Sequence, residues 1–220
     1  MNIAIVYSLP TARAKATPFK ATDEDTRDSA RQVASALRKK YQQVTLVPVS
    51  EDTIGAIAKI RADCIVNLIE WDGLDMALSL AAYAQLEASH IPFTGSRLAT
   101  LVAFSDKIKM KEALDVAGLP TPRWQLFTTG TEPVRGDFHY PVIVKLAWEH
   151  CSVGLTRDAV IERSSALPPL LQERIRVFSQ PVYVEEFILG REFQVTVLSR
   201  SRGVAVLPPA EITFQEKGND

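Results

Sequence analysis

Apolar and polar positions alternate along the N-terminal part of the chain in two ways. Residues 3–6 (Ile3, Ala4, Ile5, Val6), 44–49 and 64–69 are short apolar runs. Runs of strand length, rich in β-branched residues, predict buried strands of a parallel sheet. Between them the spacing turns helical. Ala30, Val33, Ala34 and Leu37 share one face of a helix predicted over 23–40. Asp23, Glu24 and Asp25 sit early in it and Arg38, Lys39 and Lys40 late, the charge order a helix dipole favours. Residues 11–23 are polar without a period and predict a loop. A short helix is expected over 54–60, a buried amphipathic helix over 74–88, and a short strand and turn over 91–96. Strand–helix alternation of this kind implies crossover helices around a parallel sheet.

The pattern changes after Gly95, and a domain edge is placed between Gly95 and Ser105. A helix is expected over 105–117, with Ser105 as N-cap and Gly118 as its stop. Lys107, Lys109 and Lys111, at two-residue steps, cannot all face one way on it. Lys109 and Lys111 are expected on a solvated face. Residues 119–122, LPTP, form a rigid connector into a strand at 123–127, and a turn-rich loop follows over 130–139. A helix is expected over 167–177. In the strand over 182–188, period 2 puts Val182, Val184 and Glu186 on one face and Tyr183, Glu185 and Phe187 on the other. Two strands, 193–198 and 204–207, flank a polar turn as a hairpin.

The stretch 140–154, YPVIVKLAWEHCSVG, carries the most chemistry. A β-branched run, Val142 to Val144, ends in Lys145. A buried lysine is costly unless an anion meets it. The polar segment that follows is closed by Gly154. Strand, lysine and a glycine-ended loop can hold phosphates, the lysine by charge and the loop by backbone N–H groups. No GxxxxGK[ST] pattern occurs, and no GxGxxG turn follows the first strand, which argues against nicotinamide and flavin sites.

Composition narrows the classes. The 220 residues are 46% apolar and 23% charged, enough to bury a core. The formal net charge of −1 implies no broad attraction to nucleic acid. Cys64 and Cys151 lack metal or disulfide spacing, and Cys64 is expected as a small buried residue. His150 beside Cys151 is a weak nucleophile signal, since reacting partners usually meet through the fold. There is no apolar run of membrane-spanning length, so no membrane is expected and a cytoplasmic protein is the default.

Four stretches in order resemble the ATP-grasp family, and within it the D-alanine–D-alanine ligases: PFTGS (92–96), SDKIKMKEAL (105–114), VIVKLAWEHCSVG (142–154) and VEEFILGREF (184–193). LPPAEI at 207–212 is a weaker fifth. The likeness departs at two places: the glycine-rich turn after the first strand is missing, and 67–73 is shorter and lacks a histidine. Substrate contacts made there are not carried over, although Glu70 stands at the edge of a substrate pocket on this reading. Its bland alternative is that Asp72 and Gly73 form a turn and N-cap.

The resemblance implies an α/β fold. Residues 1–100 would be a doubly wound parallel-sheet (pre-ATP-grasp), Rossmann-like substrate domain. An incomplete ATP-grasp α+β domain would follow, with its N-terminal subdomain over 101–186 and the start of the C-terminal subdomain over 187–220. ATP would be the cofactor. Lys107 and Lys145 would contact its phosphates, and Cys151, Ser152 and Val153 would lie in a loop closing over it. Glu185 would meet the exocyclic amine, backbone groups of Glu186, Phe187 and Ile188 the adenine edge, and Glu192 the ribose hydroxyls. The ordinary alternative for Glu186 is a surface carboxylate, and for Glu192 an ion pair with Arg191 or Arg200. Magnesium ligands are expected in a lobe beyond this chain, which alone is then expected to be inactive. The implied function is an ATP-dependent carboxylate–amine ligase acting on amino-acid or dipeptide-like substrates, with a homodimer left open. The alternatives are a nucleotide-binding remnant with a regulatory or scaffolding role, and an ATP-grasp ligase for another amino acid or peptide.

Overall fold

The computed structural model describes residues 1–12, 20–70, 75–149 and 153–213, with only the backbone of 20–25. Asp72, Gly73, His150, Cys151 and Ser152 lie outside the described residues. By contact, the chain divides into one unit over residues 1–186 and a second over 187–220.

In the first unit, β1 (Asn2–Ser8) is the middle strand of a parallel sheet, between β2 (Gln43–Val49) and β3 (Cys64–Leu68). All six residues from Ile3 to Ser8 are buried. Successive side chains of a strand point to opposite faces, so burial along the whole run requires cover on both. Ile5 and Tyr7 pack against Ala30 and Ala34 of α1 (Lys20–Arg38). Ala4 and Val6 pack into a second core with Ile57, with Ala82 and Leu86 of α2 (Ala77–Ala88), and with Leu101 of α3 (Leu98–Phe104). The expected doubly wound parallel sheet is thus present. Phe93 adds a parallel bridge to Ile65, the short strand expected in PFTGS.

Several boundaries differ from expectation. The backbone is helical from Lys20, so the loop expected over 11–23 is too long. The segment around 98–104 is a helix, apolar on most sides and therefore without the polar face that marks an amphipathic one. Ser105 closes α3 and does not cap the next helix, α4 (Lys107–Val116). Asp106 is that N-cap, its carboxylate accepting from the Ile108 amide at 2.9 Å. Carboxylate and hydroxyl caps are comparably favoured, so the sequence alone does not choose between adjacent Ser and Asp. Cys64, the first residue of β3, is half-buried, not fully buried.

The second sheet of this unit is antiparallel, ordered β4 (Trp124–Phe127), β7 (Val182–Glu186), β5 (Val142–Leu146) and β6 (Val160–Ile161). Val142, Val144, Leu146, Val182 and Val184 face a core closed by Leu167, Leu170 and Leu171 of α5 (Leu167–Phe178). The alternation predicted for β7 is therefore observed, and Tyr183 and Glu185 point the other way, into a cleft.

The second unit, described to residue 213, consists of two separate antiparallel pairs. These are β8 (Glu192–Gln194) with β11 (Ala210–Ile212), and β9 (Val197–Arg200) with β10 (Gly203–Val206). The single strand expected over 193–198 is thus split between β8 and β9. A segment this short cannot enclose a core, and Ile188, Val204 and Val206 are exposed.

Candidate nucleotide site

The site follows from a register. In the β5–β7 ladder Lys145 lies opposite Tyr183, and Ile143 lies opposite Glu185. Lys145 and Glu185 are therefore diagonal neighbours on one face, a separation that long side chains bridge. Lys145 Nζ donates to Glu185 Oε1 at 2.6 Å. Lysine at the end of a buried strand needs an anion, and a carboxylate from the neighbouring strand supplies it.

Helix α4 brings two more ammonium groups. Lys107 and Lys111 are four residues apart and so share a face, whereas Lys109 points to solvent. Lys111 is buried, contrary to the solvated position expected for it. Its Nζ pairs with Glu185 Oε2 and donates to Thr121 Oγ1 at 2.6 Å. The LPTP connector is thus one wall of the site. The signal that could have exposed Lys111 is its i+4 spacing from Lys107; reading the lysines in two-residue steps hid it.

Lys107 Nζ donates to the backbone oxygens of Leu146, at 3.1 Å, and Glu149. Its own amide donates to Ala147 O at 3.2 Å, so the start of α4 is tied to the end of β5. Burial pushes the Lys107 ammonium below the usual lysine value, and the nearby Lys145 charge adds to that, against the pull of Glu149, Asp106 and Glu185. A lowered folded value means that the charged form costs stability at neutral pH. That cost is relieved as pH rises from the lowered value toward the ordinary lysine value of 10.5. Stability should therefore gain with pH in that window, and Lys107→Met should remove the gain. Urea unfolding of both proteins across the alkaline range checks this; equal slopes would overturn it.

Lys107, Lys111, Lys145, Tyr183, Glu185 and Val153 line one cleft of about 590 Å³. Phe104, Met110, Pro122 and Leu155 give it apolar walls. Lys111 and Lys145 contact Glu185 directly, Lys107 does not, and the three ammonium groups exceed the two lining carboxylates, Glu149 and Glu185, by one, an arrangement suited to a polyanion. Among the described residues no group of three or more His, Cys, Asp and Glu could hold a metal ion.

The residues on either side of 150–152 are held near the close of α5. Buried Gln180 accepts from the Trp148 amide at 3.0 Å and donates to Glu149 Oε1 at 3.0 Å. On the far side Gly154 has φ +72°, and a Cβ there would lie 3.0 Å from Phe178 Cζ and 3.1 Å from Leu146 Cδ1. Both the left-handed backbone and the close approach demand glycine. Gly154→Ala should cost about 1–3 kcal/mol by strain and crowding, read as a lower urea midpoint. An unchanged midpoint would show that Phe178 yields freely.

Glu186 and Glu70 do not line this cleft. Glu186 is turned away from the cleft and accepts from the His139 amide at 2.9 Å, with His139 Nδ1 at 3.1 Å. It is a half-buried carboxylate with a partner, not a free surface one. Glu70, exposed at the end of β3, has its amide bonded to Ser8 Oγ at 3.2 Å. In the second unit Phe187 is half-buried, and Ile188 and Glu192 are exposed. Arg191, expected as a partner for Glu192, makes a bidentate pair with Glu211 at 2.8 and 2.9 Å.

Comparison with known proteins gives the same direction. Residues 114–219 match the family model for the D-ala D-ala ligase C-terminus. A D-alanine–D-alanine ligase of Ectopseudomonas mendocina is 33% identical over 180 residues, spanning 80% of this chain and 54% of that protein. One from Geobacter sulfurreducens is 33% identical over 127 residues, 56% of this chain and 39% of that protein. The chain thus spans about half the length, or less, of these relatives. The fold is that of the D-alanine–D-alanine ligase from Bacillus anthracis solved in complex with ATP. That match has a TM-score of 0.71 and 17% identity, and covers 99% of this chain and 68% of that one. The Helicobacter pylori enzyme also matches, at TM-score 0.68 and 17% identity, over all of this chain and 77% of that one. Motif order, sequence similarity and fold agree that this chain is similar to the D-alanine–D-alanine ligases.

Proposed function

We propose that this chain grips ATP for a carboxylate–amine ligase reaction of the D-alanine–D-alanine ligase type. The observation that carries the reading is the convergence of Lys107, from a helix start, and Lys145, from a strand end, with Glu185 on one cleft. In the reaction a substrate carboxylate takes the γ-phosphoryl group of ATP and ADP departs. An amine then attacks the acyl phosphate carbon, phosphate leaves, and a C–N bond remains. Positioning and charge carry such chemistry, and no protein nucleophile is needed.

On this reading Lys107 and Lys145 hold phosphate oxygens, and Cys151, Ser152 and Val153 close over them. Glu185 and the backbone groups of Glu186, Phe187 and Ile188 are assigned the purine, Glu192 the ribose, and Glu70 the substrate edge, all on the motif match. The division into residues 1–100, 101–186 and 187–220 belongs to the same reading, as do magnesium ligands supplied from outside the described residues. No helix among the described residues is long and apolar enough to cross a membrane, and a cytoplasmic setting fits that.

The test is calorimetric titration of the 220-residue chain with ATP and magnesium chloride. Micromolar binding that is lost in Lys145→Ala supports the reading. A chain that is folded by circular dichroism and binds no ATP overturns it.

A further inference from the structure

We infer that Lys111 is a positioning residue that makes the cleft select a 6-amino purine over a 6-oxo purine, by holding the Glu185 carboxylate as a fixed acceptor. The inference rests on the proposed nucleotide site and deepens it.

Lys111 is a buried ammonium, and its partners are Glu185 Oε2 and Thr121 Oγ1. Glu185 Oε1 is held at 2.6 Å by Lys145. The carboxylate is therefore gripped at both oxygens, by cations arriving from a helix and from a neighbouring strand. Its plane is set, and it can only accept. Each carboxylate oxygen has a second lone pair, so a further donor can still be received from the cleft. The exocyclic amine of adenine is such a donor. The carbonyl oxygen of guanine or hypoxanthine is an acceptor, and facing it to a fixed carboxylate leaves two acceptors opposed without a proton between them.

A purely structural reading also exists: Lys111 and Glu185 tie α4 to β7. Burying charge for that end alone is inefficient, because apolar side chains of similar volume stabilise as well or better. Here the pair lies on the cleft wall. With Lys111 removed, Glu185 keeps, among the described residues, only Lys145, whose side chain is 30% exposed. It is then free to turn fully onto Lys145 and withdraw from the purine edge.

The experiment titrates ATP and GTP, each with magnesium chloride, into the full chain, Lys111→Met and Lys111→Arg, alongside thermal unfolding of each. The wild type should prefer ATP. In Lys111→Met the ATP-to-GTP affinity ratio should fall about tenfold, the scale of one hydrogen bond to a charged group. Lys111→Arg, which keeps the cation, should retain most of the preference. A structural role would lower the unfolding temperature and weaken both nucleotides by one factor, with the ratio intact. If Lys111→Met does not fold, Thr121→Val removes only the hydroxyl that steadies Lys111, and the ratio should fall in the same direction. A wild type that binds ATP without preference, or a ratio unmoved in the folded variant, overturns this inference alone. A wild type that binds neither nucleotide overturns the nucleotide reading and this inference with it.

Discussion

Glu185→Ala should destabilise the chain by about 3–5 kcal/mol, the usual cost of removing one partner from a buried ion pair. The physical source is Lys111. Its side chain is 4% exposed, and without Glu185 it retains only the Thr121 hydroxyl as a described partner. An ammonium there has little access to water, and Glu185 is its one ion-pair partner among the described residues. Lys145 suffers less, because nearly a third of its side chain already meets solvent. A loss of this size is a large share of the stability of an ordinary domain, about 5–15 kcal/mol. Urea unfolding should show a lower midpoint for Glu185→Ala. The double variant Lys111→Met/Glu185→Leu should recover much of the loss, since it removes the stranded charge along with its partner. No difference between the single and double variants would place the cost elsewhere, in lost packing of β7.

Lys145→Ala should weaken ATP binding by about ten- to a hundredfold, the range of a charge-assisted hydrogen bond at 1.4 kcal/mol per decade, while leaving the fold nearly as stable. The two effects separate because Glu185 keeps its buried partner Lys111 when Lys145 is shortened. The two substitutions therefore separate two effects: losing Glu185 strands the buried Lys111 charge, and losing Lys145 removes a cation that faces the ligand without stranding another. Calorimetry and urea unfolding on the same protein check both halves. A large stability loss in Lys145→Ala, or unchanged ATP affinity, would contradict this division.

Much of the scaffold was legible before any coordinates. The apolar run of β1 announced a strand covered on both faces, and Val182 and Val184 announced the core face of β7. Lys145, placed at the end of an apolar strand, announced a charge that must meet an anion. Helix α3 was not legible, because its apolar residues leave no polar face to reveal a period. The cap of α4 was a choice between two good caps side by side. Lys111 was misplaced because solvation is the ordinary fate of a lysine, and only a carboxylate from a distant strand could change it.

By itself the sequence determined periodicity: which side chains of each strand and helix lie together, where chains turn, and which family the motif order resembles. These are local properties, set by backbone geometry within a few residues. The tertiary structure decided partners. Glu185 and Lys145 meet through the β5–β7 register, Lys111 joins them because α4 packs where it does, and Glu186 is committed to His139. Each pairing links residues far apart in the chain, and its energy depends on how completely the fold removes both groups from water. No local pattern encodes that burial, so the charge cluster of this cleft came into view only once the two strands and the helix were in place.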